Sequence, residues 1–304
     1  MKFFHYAFKA MGTPCSMQLY ARHVSVAKAT SRLIIQDIER LEAKYSRYLD
    51  GSYLSKINQV GLLSGEIRVD PETASLLDYA ATCHRESGGL FDITSGILRH
   101  TWNFKSGLIP TQEAINAALK KVGWHKLRWE NPVLIFPIAG MELDLGGVVK
   151  EYAVDRAVTI CWEAGLRNGM INLGGDIRIV GPHTDGRPWR VGISHPRHKD
   201  RMLQTLELYE GGLASSGDYE RCLTLNGVRY GHILNPQTGW PVKRIAAVSV
   251  LGALCVVAGS ASTIGMLKED QAEKWLQQLG LPHLWVTVEG ETGGSLMKDL
   301  DQTN

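Results

Sequence analysis

Apolar and polar positions alternate from Phe4 to Ala21 on both sides of Met11-Gly12-Thr13-Pro14, the pattern of two strand pieces with a bend at the glycine. From Val24 to Lys44 the period becomes helical, with Ala27, Leu33, Ile34, Ile38 and Leu41 as the apolar stripe. Tyr45-Ser46-Arg47-Tyr48 and an Asp50-Gly51 turn follow, and Ser52 is placed to cap a short helix over 52–58. Asp70–Ser87 reads as a helix with Pro71 near its first position, stopped by Gly88-Gly89. Thr111–Val122 reads as a helix capped by Thr111, and Leu127–Trp129 with Val133–Pro137 as a hairpin.

The stretch Met141–Gly181 repeats one motif in two settings. Glu142–Leu145 is a short strand candidate, Gly146-Gly147 a corner without side chains, and Val148–Ala164 a helix ended by Gly165. Met170–Leu173 is then a strand, Gly174-Gly175-Asp176 a second corner, and Ile177–Val180 a further strand. A helix that begins straight after a Gly-Gly turn presents bare N–H groups to an anion. Short strands are expected over Trp189–Ser194, Leu203–Leu208, Gly212–Ser215, Arg221–Leu225, Tyr230–Leu234, Ala246–Leu251 and Leu284–Val288, and helices over Ala258–Lys268 and Asp270–Leu279. Helices and strands mix without a steady βαβ rhythm, which predicts an α+β fold with largely antiparallel sheets and packed helices.

Composition narrows the function classes. The 304 residues carry a formal net charge of +2, with acids and bases interspersed, so no basic tract points to nucleic acid. The longest apolar stretch, Ile245–Ala258, is too short and interrupted to span a bilayer. The N-terminal MKFFHYAFKAMGTPC is broken by His5 and Lys9 and does not read as a secretory signal, and Cys15 does not read as a lipid-anchor site. The five cysteines are scattered without CxxC spacing, the usage of a reduced cytoplasmic protein. Neither Gly-Gly corner fits GxGxxG and GxxxxGK[ST] is absent, so nicotinamide-dinucleotide and P-loop readings lack their phosphate fingerprints.

Four further motifs accompany the glycine corners: Ser46–Tyr48, Gly88-Gly89-Leu90-Phe91-Asp92-Ile93-Thr94, Ser215-Ser216-Gly217-Asp218-Tyr219-Glu220-Arg221, and His232-Ile233-Leu234-Asn235-Pro236-Gln237-Thr238-Gly239. In this order and spacing the set resembles the ApbE family of FAD:protein FMN transferases, from Met11 to about Leu267, with the His232 run and the Asp144-Leu145-Gly146-Gly147…Lys150…Tyr152-Ala153-Val154-Asp155 run as its most specific parts. The resemblance implies one ApbE-like (T-fold-like) domain over 1–304. It also implies cleavage of the FAD pyrophosphate and attachment of FMN to a threonine of an acceptor flavoprotein, with magnesium. Met11, Tyr48 and Phe91 match positions that flank the flavin, with Leu90 and Ile233 in the same lining. Asp92, Thr94, Asp144 and Lys150 match polar FAD contacts, and Ser215, Ser216 and Gly217 a close-approach loop. His232 is the candidate base for the hydroxyl proton, since histidine titrates near working pH. Many proteins of the family are exported lipoproteins, and this N-terminus differs from them.

One departure concerns the metal. The resemblance implies magnesium between a carbonyl, here that of Gly147, and a helix carrying Asp and Thr four residues apart, which places both on one face. Thr263 is present and Ser262 precedes it, but the aspartate position is Gly259. A second departure is Glu151, where the family commonly has glycine after the lysine. Glu151 reads first as a solvated helix residue, and second as an acid that reaches the position vacated at Gly259. Without a metal, the chain would bind FAD without transferring FMN; a hydrolase giving FMN and AMP is the other alternative.

Overall fold

A computed structural model of the chain describes residues 1–104, 107–198, 200–219, 222–225 and 227–297. The alternating N-terminal segment forms β1 (Lys2–Ala10) and β2 (Thr13–Ala21), paired antiparallel with Ala10 opposite Thr13. Met11 and Gly12 make the two-residue turn at φ 51° and 74°, the left-handed pair that suits the twist of a tight hairpin. α1 (Val24–Tyr45) buries Ala27, Ile34, Ile38, Leu41 and Tyr45. Leu33 corrects the expected stripe: it is exposed, because it lies off the face that the three- and four-residue steps from Ala27 define.

α2 (Tyr53–Leu62) runs a turn beyond its expected end and is capped by Ser52, whose Oγ accepts the Ser55 N–H at 2.9 Å. β3 (Glu66–Arg68) precedes α3 (Pro71–Ser87), which Asp70 caps and Gly88 ends in the left-handed conformation. A 3-10 helix (Ile93–His100) and α4 (Gln112–Leu119) follow. β4 (Arg128–Glu130) and β5 (Val133–Ile135) form the expected hairpin, and β5 also pairs with β3.

Glu142–Leu145 is not a strand. Its neighbours are a side chain and a helical turn: Asn58 bonds both the N–H and the C=O of Leu143, and the Asp144 N–H donates to the Ile93 carbonyl at 2.7 Å. α5 (Val149–Glu163) then starts, with Gly165 at φ 77° past its end. The remaining elements are β6 (Gly169–Leu173), β7 (Asp176–Gly181), β8 (Trp189–Ser194), β9 (Met202–Leu208), β10 (Gly212–Gly217), β11 (Cys222–Leu225), β12 (Val228–Gly231), β13 (Ile245–Gly252), α6 (Cys255–Lys268), α7 (Ala272–Leu279), β14 (His283–Thr287) and β15 (Thr292–Gly293). Leu234, expected in a strand, makes only an isolated bridge to Pro241. Glu220 and Arg221 of the sequence motif lie outside the described residues.

The central sheet has the order β1-β2-β6-β7-β10-β13-β14-β15, and every neighbouring pair is antiparallel. Period-two alternation splits its residues between two cores. Ile177, Ile179, Leu213, Ala247, Leu284 and Val286 face the β8–β9 hairpin, which covers them with Trp189, Val191, Ile193, Leu206 and Leu208. Met17, Leu19, Ile171, Val180, Ala214, Val248 and Val250 face the helices. On that helical face Asp155 of α5 joins three elements. Its carboxylate accepts the first N–H groups of α6 from Cys255 and Val256, at 2.9 and 3.0 Å, and pairs with Arg178 of β7 at 2.9 Å. α6 has no side-chain cap of its own, so the aspartate of the Tyr152-Ala153-Val154-Asp155 run caps it from the neighbouring helix.

Candidate active site

The segment from Asp144 to Glu151 is the spine of the candidate site. Asp144 pairs with Arg47 from the loop after α1, and its Oδ1 accepts the Gly146 N–H at 2.9 Å, which bends the chain at the first glycine corner. Arg47 in turn donates to the Tyr48 hydroxyl at 2.8 Å and lies over the Tyr48 ring at 5.0 Å, so one guanidinium ties the exposed aromatic to the corner. Gly147 lies 3.5 Å, measured from an added Cβ, from the ring of buried Phe91. α5 then begins with Val148 at its cap position, which offers no side-chain acceptor; the Val149 N–H donates to the Leu145 carbonyl at 3.0 Å, and no side-chain cap claims the next turn.

One turn into α5, the site becomes a buried cluster of oxygens. The Lys150 Nζ sits 2.6 Å from Asp176 Oδ2, and Asp176 opens β7 straight after the second glycine corner. Gly174 and Gly175 have φ of 63° and 95°, and a Cβ on Gly174 would strike the Thr13 side chain, so this corner admits only glycine at its first position. Asp176 also accepts the Ser215 N–H at 3.2 Å, while Ser216 turns to the helices and its Oγ meets Ser262 Oγ at 2.8 Å and Thr263 Oγ1 at 2.9 Å. Glu151 is buried, which removes the solvated reading. A Cβ on Gly259 would lie 2.5 Å from Glu151 Cγ and 3.1 Å from its Cδ. Glu151 Oε2 has no hydrogen-bond partner among the described residues, and Oε1 is 3.9 Å from Lys150 Nζ. Burial first, and then the charge of Asp176, push the Glu151 carboxyl well above the usual carboxylate range.

A third group of residues closes the site through loop architecture. Asp92 is buried and saturated: it accepts from the Thr94 N–H at 2.8 Å, the Thr94 hydroxyl at 2.6 Å and the Trp124 N–H at 2.8 Å, with His84 at 3.5 Å. Burial alone would raise its pKa, but these contacts outweigh it and hold the carboxyl below its ordinary value. The His232 run is a self-bonded loop in which Asn235 Oδ1 accepts from the Gln237 and Thr238 N–H groups, and the Gly239 N–H returns to the Asn235 carbonyl at 2.8 Å. Gln237 donates to the Gly88 carbonyl at 3.2 Å and Trp102 to the Gly239 carbonyl at 2.7 Å, so this loop docks on the Gly88–Thr94 loop. His232 is half-buried at the base of the run, directly after β12.

The chain as a whole matches known proteins over most of its length. The model of the ApbE family matches residues 11–285. The chain belongs to the ApbE family. The FAD:protein FMN transferase of Vibrio cholerae is 31% identical over 293 residues, covering 93% of this chain and 86% of that protein. The FAD:protein FMN transferase of Escherichia coli K12 is 29% identical, covering 81% of this chain and 73% of that protein. Among solved structures, the ApbE protein of Thermotoga maritima superposes with a TM-score of 0.89 at 30% identity, and the V. cholerae flavin transferase ApbE with 0.87 at 28%; each comparison covers 97% of both chains. The mixed helices and antiparallel sheets are therefore the ApbE fold.

Within that fold the expected residues gather unevenly. Asp144, Gly147, Phe91 and Tyr48 meet around the first glycine corner, with Arg47 linking two of them. Lys150, Ser216, Ser262, Thr263 and Gly259 meet at the oxygen cluster. Leu90 and Ile233 pack half-buried against the main core, and Met11 does so from its turn. No contact joins Gly147 directly to Ser262 or Thr263 among the described hydrogen bonds; the spine through Lys150 and Glu151 connects them. Arg47 and Asp176 are the residues that sequence reading left without roles. Asp176 had a signal, an acid directly after a Gly-Gly corner, whereas Arg47 had none beyond its place between Ser46 and Tyr48.

Magnesium needs oxygen donors around it. Among the described residues no group of three or more His, Cys, Asp and Glu could hold a metal. The cluster instead offers the Glu151 carboxylate, hydroxyls and the Gly259 carbonyl, oxygen donors of the kind a hard dication takes, with the Lys150 ammonium held on Asp176.

Proposed function

We propose that this chain is an FAD:protein FMN transferase: it moves FMN from FAD to a threonine hydroxyl of an acceptor flavoprotein. The threonine Oγ attacks the phosphorus on the FMN side, the pyrophosphate P–O bond breaks, and AMP leaves with the bonding electrons. The observation that carries this reading is the Asp144–Glu151 spine, where an uncapped helix start adjoins Lys150 inside a chain that matches named FMN transferases over most of its length.

Tyr48, Phe91, Leu90, Met11 and Ile233 supply the aromatic and apolar surfaces for the isoalloxazine ring. The N–H groups at the start of α5 and the Lys150 ammonium face phosphate charge. Asp92, with both oxygens engaged inside the chain, holds the Phe91 loop in place and contacts FAD through that loop. Asp144 orients Arg47 and the glycine corner. His232 takes the threonine proton, and its docked loop fixes the position of the imidazole relative to the Gly88–Thr94 loop. A magnesium ion held by this cluster would neutralise charge on the phosphoryl oxygens.

The test is one incubation with FAD, Mg²⁺ and a threonine-bearing acceptor, read by intact-protein mass. An FMN adduct on the acceptor is the expected result. Free FMN and AMP without adduct would assign a hydrolase, and unchanged bound FAD a binding protein. His232→Ala is expected to lower the transfer rate about 10²–10⁴-fold while FAD still binds.

A further inference from the structure

The two departures at Glu151 and Gly259 are one structural event. An added Cβ on Gly259 would lie 2.5 Å from Glu151 Cγ, so Glu151 fills the volume into which a side chain at position 259 would project. The two residues belong to different helices, α5 and α6, that pack side by side. Glycine at 259 therefore makes room for the glutamate, and an aspartate at 259 could not coexist with Glu151 in this position.

The carboxylate so placed is incompletely bonded. Its Oε2 is buried without a hydrogen-bond partner among the described residues, and Asp176 brings a second negative charge beside it. The cation present, Lys150, lies 2.6 Å from Asp176 and 3.9 Å from Glu151, so it is committed mainly to the aspartate. On the Gly259 side, Ser216 Oγ meets the Ser262 and Thr263 hydroxyls, and Ser262 Oγ also donates to the Gly259 carbonyl at 2.9 Å. A buried carboxylate oxygen without a donor is unfavourable unless a proton or a cation offsets it. Oxygen ligands of this kind, with substrate phosphates nearby, suit a small divalent ion that keeps part of its water shell.

We propose that Glu151 is the anionic ligand of the divalent cation at this site, its carboxylate delivered from α5 to the place against α6 that a side chain on residue 259 would otherwise occupy. The proposal deepens the reading of the site as one that handles a flavin pyrophosphate, and it rests on that reading for the identity of the ligand's neighbours. The cation is held near the Gly259 carbonyl, where Ser262 and Thr263 already meet Ser216, so the relocation leaves the rest of the oxygen set in use.

The experiment titrates the full chain, with and without FAD, with Mn²⁺ as a spectroscopic stand-in for Mg²⁺, reading free Mn²⁺ by electron paramagnetic resonance and confirming competition by Mg²⁺. Circular dichroism and the thermal midpoint check folding of each variant. Glu151→Gln is expected to weaken Mn²⁺ binding by about tenfold or more, since one anionic ligand is lost. Glu151→Gly is expected to do the same, and adding Gly259→Asp to it is expected to restore binding to within about threefold of the parent chain, because the carboxylate returns from the other helix. Unchanged Mn²⁺ affinity in Glu151→Gln, or a double variant no better than Glu151→Gly, would overturn the proposal. Flavin fluorescence and FMN transfer in the same samples separate the two readings. Transfer that persists with Glu151-independent metal binding removes this proposal alone. Glu151-dependent metal binding without transfer removes the proposed function alone.

Discussion

Asp155 and Glu151 sit one turn apart on the same face of α5, both buried, and they are used in opposite ways. Asp155 spends both oxygens on Cys255, Val256 and Arg178. Among the described residues Glu151 Oε2 has no donor, and it stands beside another carboxylate. The contrast separates scaffold from site. A buried acid with every lone pair engaged fixes where helices and strands go, and a buried acid with an orphaned oxygen keeps binding capacity in reserve. Asp92 belongs with Asp155 by this criterion, since its oxygens are engaged by the Thr94 and Trp124 N–H groups.

Breaking the scaffold side should have the largest effect. Asp155→Ala removes the cap of α6 and strands Arg178, and it should lower unfolding free energy by about 3–5 kcal/mol, read by urea denaturation. A loss no greater than that of a surface substitution would show that Asp155 is not the joint between α5, α6 and β7. Next, Gly259→Ala forces a methyl against Glu151 and should cost about 1–3 kcal/mol, most of it recovered when Glu151→Gly is added. Purely additive effects of the two changes would mean that the residues do not share one volume.

A third carboxylate extends the comparison to pH. Glu72 on α3 pairs with Arg40 and Lys44, and the Arg40 hydrogen bonds, outweighing burial, lower its carboxyl to about 2. Because the folded value lies below the unfolded one, its stabilisation is complete above the usual glutamate pKa and is lost as pH falls toward 2. The gap in thermal midpoint between the parent chain and Glu72→Gln should therefore be widest near neutral pH and close on acidification; a gap constant with pH would exclude this ion pair as its source. The smallest effect is expected from Glu151→Gln without added cation, a change in stability of less than about 1 kcal/mol, since the amide replaces a carboxyl that burial and Asp176 already push toward its neutral form. A large destabilisation there would move Glu151 to the scaffold side.

The legibility of the molecule follows the same division. Caps and stops were visible as residue types: Ser52, Asp70 and Thr111 cap the helices they precede, and Gly88 and Gly165 stop theirs. The glycine corners were visible because a turn with positive φ against a close neighbour demands glycine, as at Gly174 beside Thr13. Leu33 and Glu142–Leu145 depart from their sequence patterns for a common reason. A short apolar pattern does not state which neighbour it will face, and the neighbour of Leu143 is an asparagine side chain rather than a strand.

The sequence alone determined the family, the antiparallel α+β character and the position of each glycine corner, since these depend on local spacing and on residues that only one backbone geometry accepts. It also exposed a missing aspartate at 259 and an added glutamate at 151. Only the tertiary structure decided that the two are the same vacancy and the same occupant. They lie 108 positions apart on different helices, and whether one side chain can enter the space of another depends on how α5 packs on α6, a distance that no one-dimensional pattern contains.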